Sequence, residues 1–535
     1  MSATSSSPDS SRLNFTDRAA GFQRVDGHRF DLIVIGAGIT GAGIARDAAE
    51  RGLSVLLVDA GDIACGTSSR SSKMIHGGLR YLAHGDVSLV REAASERQVL
   101  RVIAPHLARR CDFVIPGSRA STTKLRAGLA MFESLGKVST AESHTVWNAR
   151  ELAINEPTLA GKRYSSAVVY PEFLTNDARL TLANVRSAAA AAAAVLTYSA
   201  VTRILVEHGR AVGVGVRGSL PGETFDAVAR GSVIVNAAGP WVDAVRKLED
   251  DRAPQRLTIT KGIHVVVPRV RLPVNRTIVG AGADKRPVFA VPSGPVTYLG
   301  TTDSFYPRAE TWPTIERPDV TYLFDFVSNT FDDPGLTTDD IVSMWAGARP
   351  LISQAGKSPS EISRKDEVWI GSAGIISIAG GKLTAYRTMA ERVTDMVAET
   401  LGATVRPCST ATTPLVGGDV DVEAMKGLLR ASVGDAGDRL VDLYGSEAAA
   451  VACRGGDLTA EIDHAIAAEG ALTLTDYWVR RSARAWFTLE PVGGGLTQAA
   501  SIMADRLGWS AGRRDGELAE CTSHHTATFV NVISA

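Results

Sequence analysis

The stretch Phe30-Asp31-Leu32-Ile33-Val34-Ile35-Gly36-Ala37-Gly38-Ile39-Thr40-Gly41 decides the fold. Residues 30–35 form a short apolar run, the pattern of a strand buried on both faces. Three glycines follow at the spacing GxGxxG. From 39 to 51 the apolar residues recur at helical spacing, and Gly52 supplies a stop. Residues 53–58 read as a second buried strand closed by Asp59, which completes a βαβ unit. In such a unit Gly36 permits the tight turn, Gly38 lets a pyrophosphate approach the backbone, and Gly41 lets helix and strand pack closely. The helix N-terminus offers unpaired N–H groups and a positive dipole end to phosphates. Asp59 is placed to accept from a ribose hydroxyl. The fingerprint marks a dinucleotide site and does not separate NAD from FAD.

Outward from this unit the texture changes twice. Residues 86–104 and 179–194 have helical patterns, and 200–206, 211–216 and 233–236 read as strands. From 257 to 302 strand signals dominate, with Pro and Gly turns suited to an antiparallel sheet. Residues 319–330 read as a helix. Residues 410–419 form a Pro/Gly-containing linker candidate, and the chain beyond is mostly helical. The spacing predicts helices over 422–429, 438–452, 458–468, 474–487 and 496–507. The fold class is therefore α/β. A Rossmann-like FAD-binding domain of the two-dinucleotide-binding flavoprotein type spans 30–110, 161–255 and 341–405. An antiparallel substrate domain spans 111–160 and 256–340, and a C-terminal α-helical domain spans 406–535. Residues 1–29 are expected to be a disordered tail.

Composition narrows the class. The 535 residues carry a formal net charge of -1, so no global field favours nucleic acid, and any anion site must be local. The five cysteines are scattered and form no CxxC pair, which argues against zinc and against a disulfide framework and fits a reducing cytosolic location. The Ser-rich N-terminus lacks the apolar core of a secretory signal, and no apolar run is long enough to span a bilayer.

Two later glycine turns favour FAD over NAD. Residues 233–236 run into Ala237-Ala238-Gly239, a strand ending in small residues beside the cofactor. Gly380-Gly381-Lys382-Leu383-Thr384 opens a helix whose N-terminus can face the flavin pyrimidine edge. Val201, on the strand over 200–206, is assigned to the same cofactor site. The polar block Thr67-Ser68-Ser69-Arg70-Ser71-Ser72-Lys73-Met74-Ile75-His76-Gly77-Gly78-Leu79-Arg80-Tyr81-Leu82 is too polar for a core and too mixed for a linker. Its hydroxyls and Lys73 suit phosphate and ribityl oxygens. Gly77 and Gly78 let the chain pass close to a flat ring, and Arg80 falls where ring and substrate meet.

This block resembles the FAD-dependent glycerol-3-phosphate dehydrogenase family, bacterial type. The resemblance extends through Asn236-Ala237-Ala238-Gly239-Pro240-Trp241, Lys261-Gly262-Ile263-His264, Gly300-Thr301-Thr302-Asp303, Gly347-Ala348-Arg349-Pro350-Leu351, Ile362-Ser363-Arg364-Lys365, residues 380–387 and Trp478-Val479-Arg480-Arg481. It implies non-covalent FAD, oxidation of sn-glycerol 3-phosphate to dihydroxyacetone phosphate, and electron delivery to a membrane quinone. It also implies peripheral contact with the inner face of the cytoplasmic membrane and a homodimer. A phosphate dianion needs cations, preferably Arg, and the family match points to Arg80, Arg349, Arg364 and Lys382. It places the His264 segment at the substrate pocket, with His264 the candidate base. His76, beside the flavin block, is the other base candidate or a cofactor contact. Tyr81 and Thr301 are expected to line the pocket. The cofactor set comprises Gly36, Gly38, Gly41, Asp59, Thr67, Ser68, Ser69, Ser72, Lys73, His76, Gly77, Gly78, Val201, Ala238, Gly239, Gly380, Gly381, Lys382, Leu383 and Thr384.

No D-x-[DN]-x-[DN]-G loop occurs, so calcium control is not expected; no metal site is expected elsewhere. The competing readings are a glycerol-phosphate oxidase using oxygen, which usually carries an inserted segment, and an amino-acid oxidase of the same superfamily. A flavin-binding protein without catalysis is a third. For residues 478–481 two readings stay open: contact with lipid headgroups or a partner subunit, and a solvated helix face capped by a buried Trp.

Overall fold

The computed structural model describes residues 10–77, 87–135, 143–160, 164–332, 334–354, 356–357, 359 and 361–533. The apolar run of the opening unit forms the strand Arg29–Ile35. It pairs in parallel with Val55–Val58 on one side and Asp226–Asn236 on the other. Ile376–Ala379 and Ala194–Leu196 extend the parallel sheet outward. Glu367–Ile370 closes one edge antiparallel, and the hairpin Ser199–Glu207/Arg210–Gly218 pairs with the start of Asp226–Asn236. The connections after Ile35 and Asn236 leave the sheet at neighbouring carboxyl ends, which opens the crevice where such sheets bind ligands.

The helix Ile39–Glu50 lies over this crevice, packed against the helices Asp177–Ala190 and Tyr386–Leu401. Its Ala42, Ala45, Ala48 and Ala49 are buried, so small side chains let three helices and a sheet close together. The Ala-rich run read as one helix over 179–194 is divided. The helix ends at Ala190, Ala192 adopts a positive φ, and Ala194–Leu196 is a strand.

The second sheet runs in the order Ser304–Phe305, Leu257–Pro268, Val296–Gly300, Pro287–Ser293, Thr277–Ala281, Arg109–Gly117, Ser166–Leu174, Met74–Ile75. Ser343–Ile352 pairs with Leu257–Pro268, and Thr145–Asn148 pairs with Ser166–Leu174. The pairings are antiparallel except Thr277–Ala281 with Arg109–Gly117. The expected domain limits shift accordingly. Met74–Ile75, Ser166–Leu174 and Ser343–Ile352 lie in the substrate sheet although they fall inside segments assigned to the FAD domain. The chain passes between the layers more often than composition reveals, because a buried strand has the same apolar pattern in either sheet.

The tail expectation fails beyond residue 10. Arg18–Val25 is a helix capped by Asp17, with Phe22 and Val25 buried, and Leu13 bridges to Glu469. The linker expectation fails as well. Thr410 and Leu415 are buried, and the Leu415 N–H donates to Ile103 O at 2.8 Å.

The C-terminal helices brace both layers. Arg179 pairs with Glu469 and Arg186 with Glu447, joining them to the helix Asp177–Ala190. The Ser343 hydroxyl donates to Trp486 O, and Val532 of the last helix, Ala511–Ile533, is buried in the core of the substrate sheet. The helix expected over 438–452 is broken at Gly445, and that over 474–487 is a short π-type turn, Asp476–Arg481, followed by Arg484–Phe487. Trp478, Val479, Arg480 and Arg481 are all buried. They are neither a solvated face nor a lipid contact.

His106 sits in the seam beneath these helices, 2% exposed, and burial, with Arg179 beside it, pushes its pKa down from 6.5 to about 3. The folded chain therefore keeps this imidazole neutral while the unfolded chain protonates it. The contribution is intact above about pH 6.5. It is lost at about 1.4 kcal/mol per pH unit as pH falls from there toward the folded value. Thermal melts from pH 7 to 5 are expected to show a shallower decline in Tm for His106→Gln than for the parent. Parallel profiles would exclude the assignment.

Candidate active site

At the crevice, the predicted turn has the geometry a dinucleotide requires. Gly36 has φ +107°, and a Cβ there would lie 2.6 Å from Ala237 O; one on Gly41 would lie 1.9 Å from Gly36 O. The Asp59 carboxylate accepts from Ala37 N at 2.6 Å and Gly61 N at 2.8 Å, and Ser68 Oγ accepts from Ile39 N at 2.9 Å. Burial pushes the Asp59 carboxyl up, against these backbone donors. Ala238 and Gly239 follow the end of the adjacent strand at Asn236, and Ala238 lies beside Gly36. Gly380 and Gly381 both have φ +81° and lead through Lys382 into the turn Leu383–Ala385 and the helix Tyr386–Leu401. Thr384 Oγ1 faces His76 O at 3.4 Å, so the late turn meets the polar block. Gly77 N donates to Glu172, itself paired with buried Arg97. Val201 lies beside a strand irregularity and packs with the cluster around Phe30 and Ile33. These residues fit FAD: a turn open to the backbone, a carboxylate for the ribose, and a second helix N-terminus. Gly78, Arg80 and Tyr81 lie outside the described residues.

The polar block docks on one face of the substrate sheet, where Gly347 makes room for its backbone and Gly262 and Gly300 make room for the side chains of Arg349 and His264. In the antiparallel register Thr260 faces Arg349, Gly262 faces Gly347, and His264 faces both Trp345 and Gly300. A Cβ on Gly347 would lie 2.7 Å from Arg70 O, one on Gly262 1.8 Å from Arg349 Nη2, and one on Gly300 2.1 Å from His264 Cδ2. Four hydrogen bonds fasten the block to this face. Trp345 Nε1 donates to Ser71 O at 3.2 Å, Tyr298 Oη to Ser72 O at 3.0 Å, and Thr67 Oγ1 to Ala348 O at 2.5 Å. His264 Nε2 lies 2.9 Å from Ser72 Oγ.

Four expected cofactor contacts are thus committed to protein partners. Lys73 Nζ donates to Asp177 at 2.7 Å and to Ser69 O at 2.9 Å in a buried pair, so its charge is already neutralised and is not free for a phosphate. The Ser72 hydroxyl holds His264, and the Thr67 hydroxyl holds the strand carrying Arg349. The Ser69 hydroxyl donates to Gly66 O, 3.3 Å away.

His264 is 1% exposed, stacked on Trp345 with ring centroids 4.6 Å apart, and its Nδ1 has no hydrogen-bond partner among the described residues. Burial, with Arg349 and Lys73 nearby, holds it well below the usual imidazole range, so it is neutral at physiological pH. Arg349 donates to Asp303 Oδ1 at 2.9 Å, Thr302 O at 3.1 Å and Thr301 Oγ1 at 2.8 Å. Arg364 donates to Asp303 Oδ2 at 2.6 Å, and Arg286 to Asp303 O at 2.8 Å. Asp303 thus gathers three guanidinium groups. Burial works against its charge, yet Arg349 and Arg364 hold its carboxyl below the usual range. Burial pushes Arg349 down to about 10. The fold brings Thr301, Arg349, Arg364 and His264 together as expected. Asp303 as a hub, Arg286, and the Ser72–His264–Trp345 stack were not foreseen. Glycines inside strands were the available signal, since they mark close approach of another group.

The crevice and its two glycine turns are those of a dinucleotide-binding oxidoreductase, and the matching family makes it FAD-dependent. The family model of that description matches residues 31–387, and that of the C-terminal domain of alpha-glycerophosphate oxidase matches 408–514. Aerobic glycerol-3-phosphate dehydrogenase of Staphylococcus aureus is 36% identical over 513 residues, covering 90% of this chain and 91% of that protein. The glycerol-3-phosphate dehydrogenase of Bacillus halodurans, solved with FAD, superposes with TM-score 0.82 at 29% identity over 98% of this chain and 99% of that one. A Mycoplasma pneumoniae glycerophosphate oxidase shares the fold at TM-score 0.55 and 16% identity, covering 72% and 99% of the two chains. The chain belongs to the aerobic glycerol-3-phosphate dehydrogenase family.

Adding a methyl group to the docking face tests its role in holding the cofactor. Gly347→Ala is expected to push the Arg70 backbone off the sheet, and the purified variant to carry less flavin per protein than the parent. Equal flavin content, read from the ratio of flavin to protein absorbance, would contradict the close approach.

Proposed function

We propose that the chain oxidises sn-glycerol 3-phosphate to dihydroxyacetone phosphate by hydride transfer to FAD and passes the electrons to a membrane quinone. The observation that carries the substrate is the fan of Arg349, Arg364 and Arg286 on Asp303, on the sheet face that also holds His264. Arg349 and Arg364 bring two charges against one carboxylate, an excess that suits an anionic phosphate. Lys382 and Arg80 are the further cations of this reading, with Thr301 and Tyr81 lining the pocket. FAD, when bound, supplies the hydride acceptor. The cationic cluster favours the developing alkoxide of the substrate hydroxyl. Neutral His264 takes the hydroxyl proton at Nδ1, while its Nε2 stays on Ser72. Arrival of the phosphate offsets the Arg349 charge that depresses the imidazole, so substrate binding itself makes His264 a stronger base.

The peripheral membrane contact, the cytoplasmic side and a homodimer belong to the same reading. No helix among the described residues is long and apolar enough to cross a membrane. Quinone rather than oxygen as acceptor follows the resemblance to dehydrogenases, and an oxygen-using enzyme would differ by peroxide formed per substrate oxidised.

Anaerobic addition of glycerol 3-phosphate to purified protein is expected to bleach the flavin absorbance, and dihydroxyacetone phosphate should accumulate with an artificial acceptor. Persistent yellow colour at millimolar substrate would sink the proposal. Arg349→Ala is expected to lose about 3 kcal/mol, roughly 150-fold, in kcat/KM. An unchanged value would remove Arg349 from the phosphate site.

A further inference from the structure

The buried basic pair of the C-terminal helices takes no part in the chemistry above, yet it reaches the cofactor crevice. Arg480 and Arg481 both converge on Asp62. Arg480 Nε donates to Asp62 Oδ2 at 2.5 Å. Arg481 donates to both Asp62 oxygens, Nη2 at 2.8 Å from Oδ1, and to Glu469 O at 2.7 Å. Arg480 also pairs with Asp476, which accepts from Leu472 N, Thr473 N and Tyr198 Oη. Asp62, Asp476, Arg480 and Arg481 are all at most 4% exposed.

Asp62 lies in the loop that backs the glycine turn. Three residues before it, Asp59 accepts from Ala37 N at 2.6 Å. Two residues after it, Ala64 N donates to Ala37 O at 3.1 Å, and Cys65 N donates to Asp62 O at 3.1 Å. Tyr198, held by Asp476, donates its backbone N–H to Gly61 O at 2.8 Å. Ala37, between the two leading glycines, is therefore gripped on both backbone atoms by a loop whose centre is fixed by the C-terminal helices. Arg70 closes the same loop by donating to the Cys65 and Gly66 carbonyls. It is 2% exposed, packs over Trp312 at 4.0 Å, and its Nε and Nη2 have no hydrogen-bond partner among the described residues. The quartet of Asp62, Asp476, Arg480 and Arg481 is neutral, and the same loop carries Arg70 and the Asp59 carboxylate.

We propose that Arg480 and Arg481 are positioning residues for FAD: by clamping Asp62, the C-terminal helices hold the loop over 59–70 in the conformation that receives the adenosine and pyrophosphate. The helical region then sets cofactor retention without touching the cofactor. This rests on FAD as the cofactor and not on the identity of the substrate.

FAD release from the holoenzyme, followed as the rise of free flavin fluorescence well below the melting temperature, tests it. Asp62→Asn and Arg481→Lys are expected to release FAD at least about tenfold faster than the parent. Glu447→Gln, which breaks the Arg186 pair on another part of the same seam, is expected to stay within about twofold. If Asp62→Asn does not fold, Arg481→Lys, which keeps the charge and loses the fork, decides alone. Release from Arg481→Lys as slow as the parent's would overturn the proposal. So would Glu447→Gln releasing as fast as Arg481→Lys, because loosening of the whole domain would then explain the effect.

Discussion

The docking of the polar block on the glycine-bearing face of the substrate sheet is the contact on which the rest depends. A backbone can cross a sheet this closely only where side chains are missing, and Gly347 leaves that space for Arg70 O. The neighbouring gaps at Gly262 and Gly300 are filled by Arg349 and by the His264 ring. One sheet face therefore fixes three relations at once. It fixes where the polar block lies, where the guanidinium groups of Arg349, Arg364 and Arg286 fan out on Asp303, and where the neutral His264 imidazole sits. Hydride transfer demands such fixed relations, since displacement by about 1 Å can cost on the order of a hundredfold in rate.

Buried charge holds this arrangement from behind. Lys73 with Asp177, Arg97 with Glu172, and Asp62 with Arg480 and Arg481 are all nearly inaccessible to water. Desolvation makes such pairs poor sources of net stability, while breaking one partner costs about 3–5 kcal/mol. Each joins segments far apart in sequence to the cofactor loop, so what they provide is a specific arrangement. The C-terminal helices, which read from sequence as a separate domain, are part of this frame. Arg387 carries the pattern to the helix behind the second glycine turn through its paired contacts with Glu96.

The βαβ unit was legible because three independent signals agree there: an apolar run, a glycine spacing, and a carboxylate at the end of the next strand. The late turn at Gly380 was legible for the same reason. Segments 74–75, 166–174 and 343–352 were misassigned because their apolar pattern suits a buried strand in either sheet. Residues 480–481 misled because adjacent Arg residues ordinarily face water, and their burial is made tolerable by Asp62, more than 400 positions away, together with Asp476. At the site, Arg349, Arg364 and His264 came from the family resemblance. Lys73 was misread because nothing local announces Asp177. Asp303 as the hub needed the register of Thr260 against Arg349, which no single segment contains.

In the proposed reaction the glycine face holds His264 where it takes the hydroxyl proton, a role separate from binding the phosphate. Anaerobic stopped-flow measurement of flavin reduction by glycerol 3-phosphate in Gly300→Ala tests this placement, because the three atoms nearest the added methyl group, between 2.1 and 2.9 Å away, all belong to the imidazole ring. The limiting rate constant is expected to fall about a hundredfold while the substrate concentration giving half that rate changes little. A limiting rate equal to the parent's would contradict it.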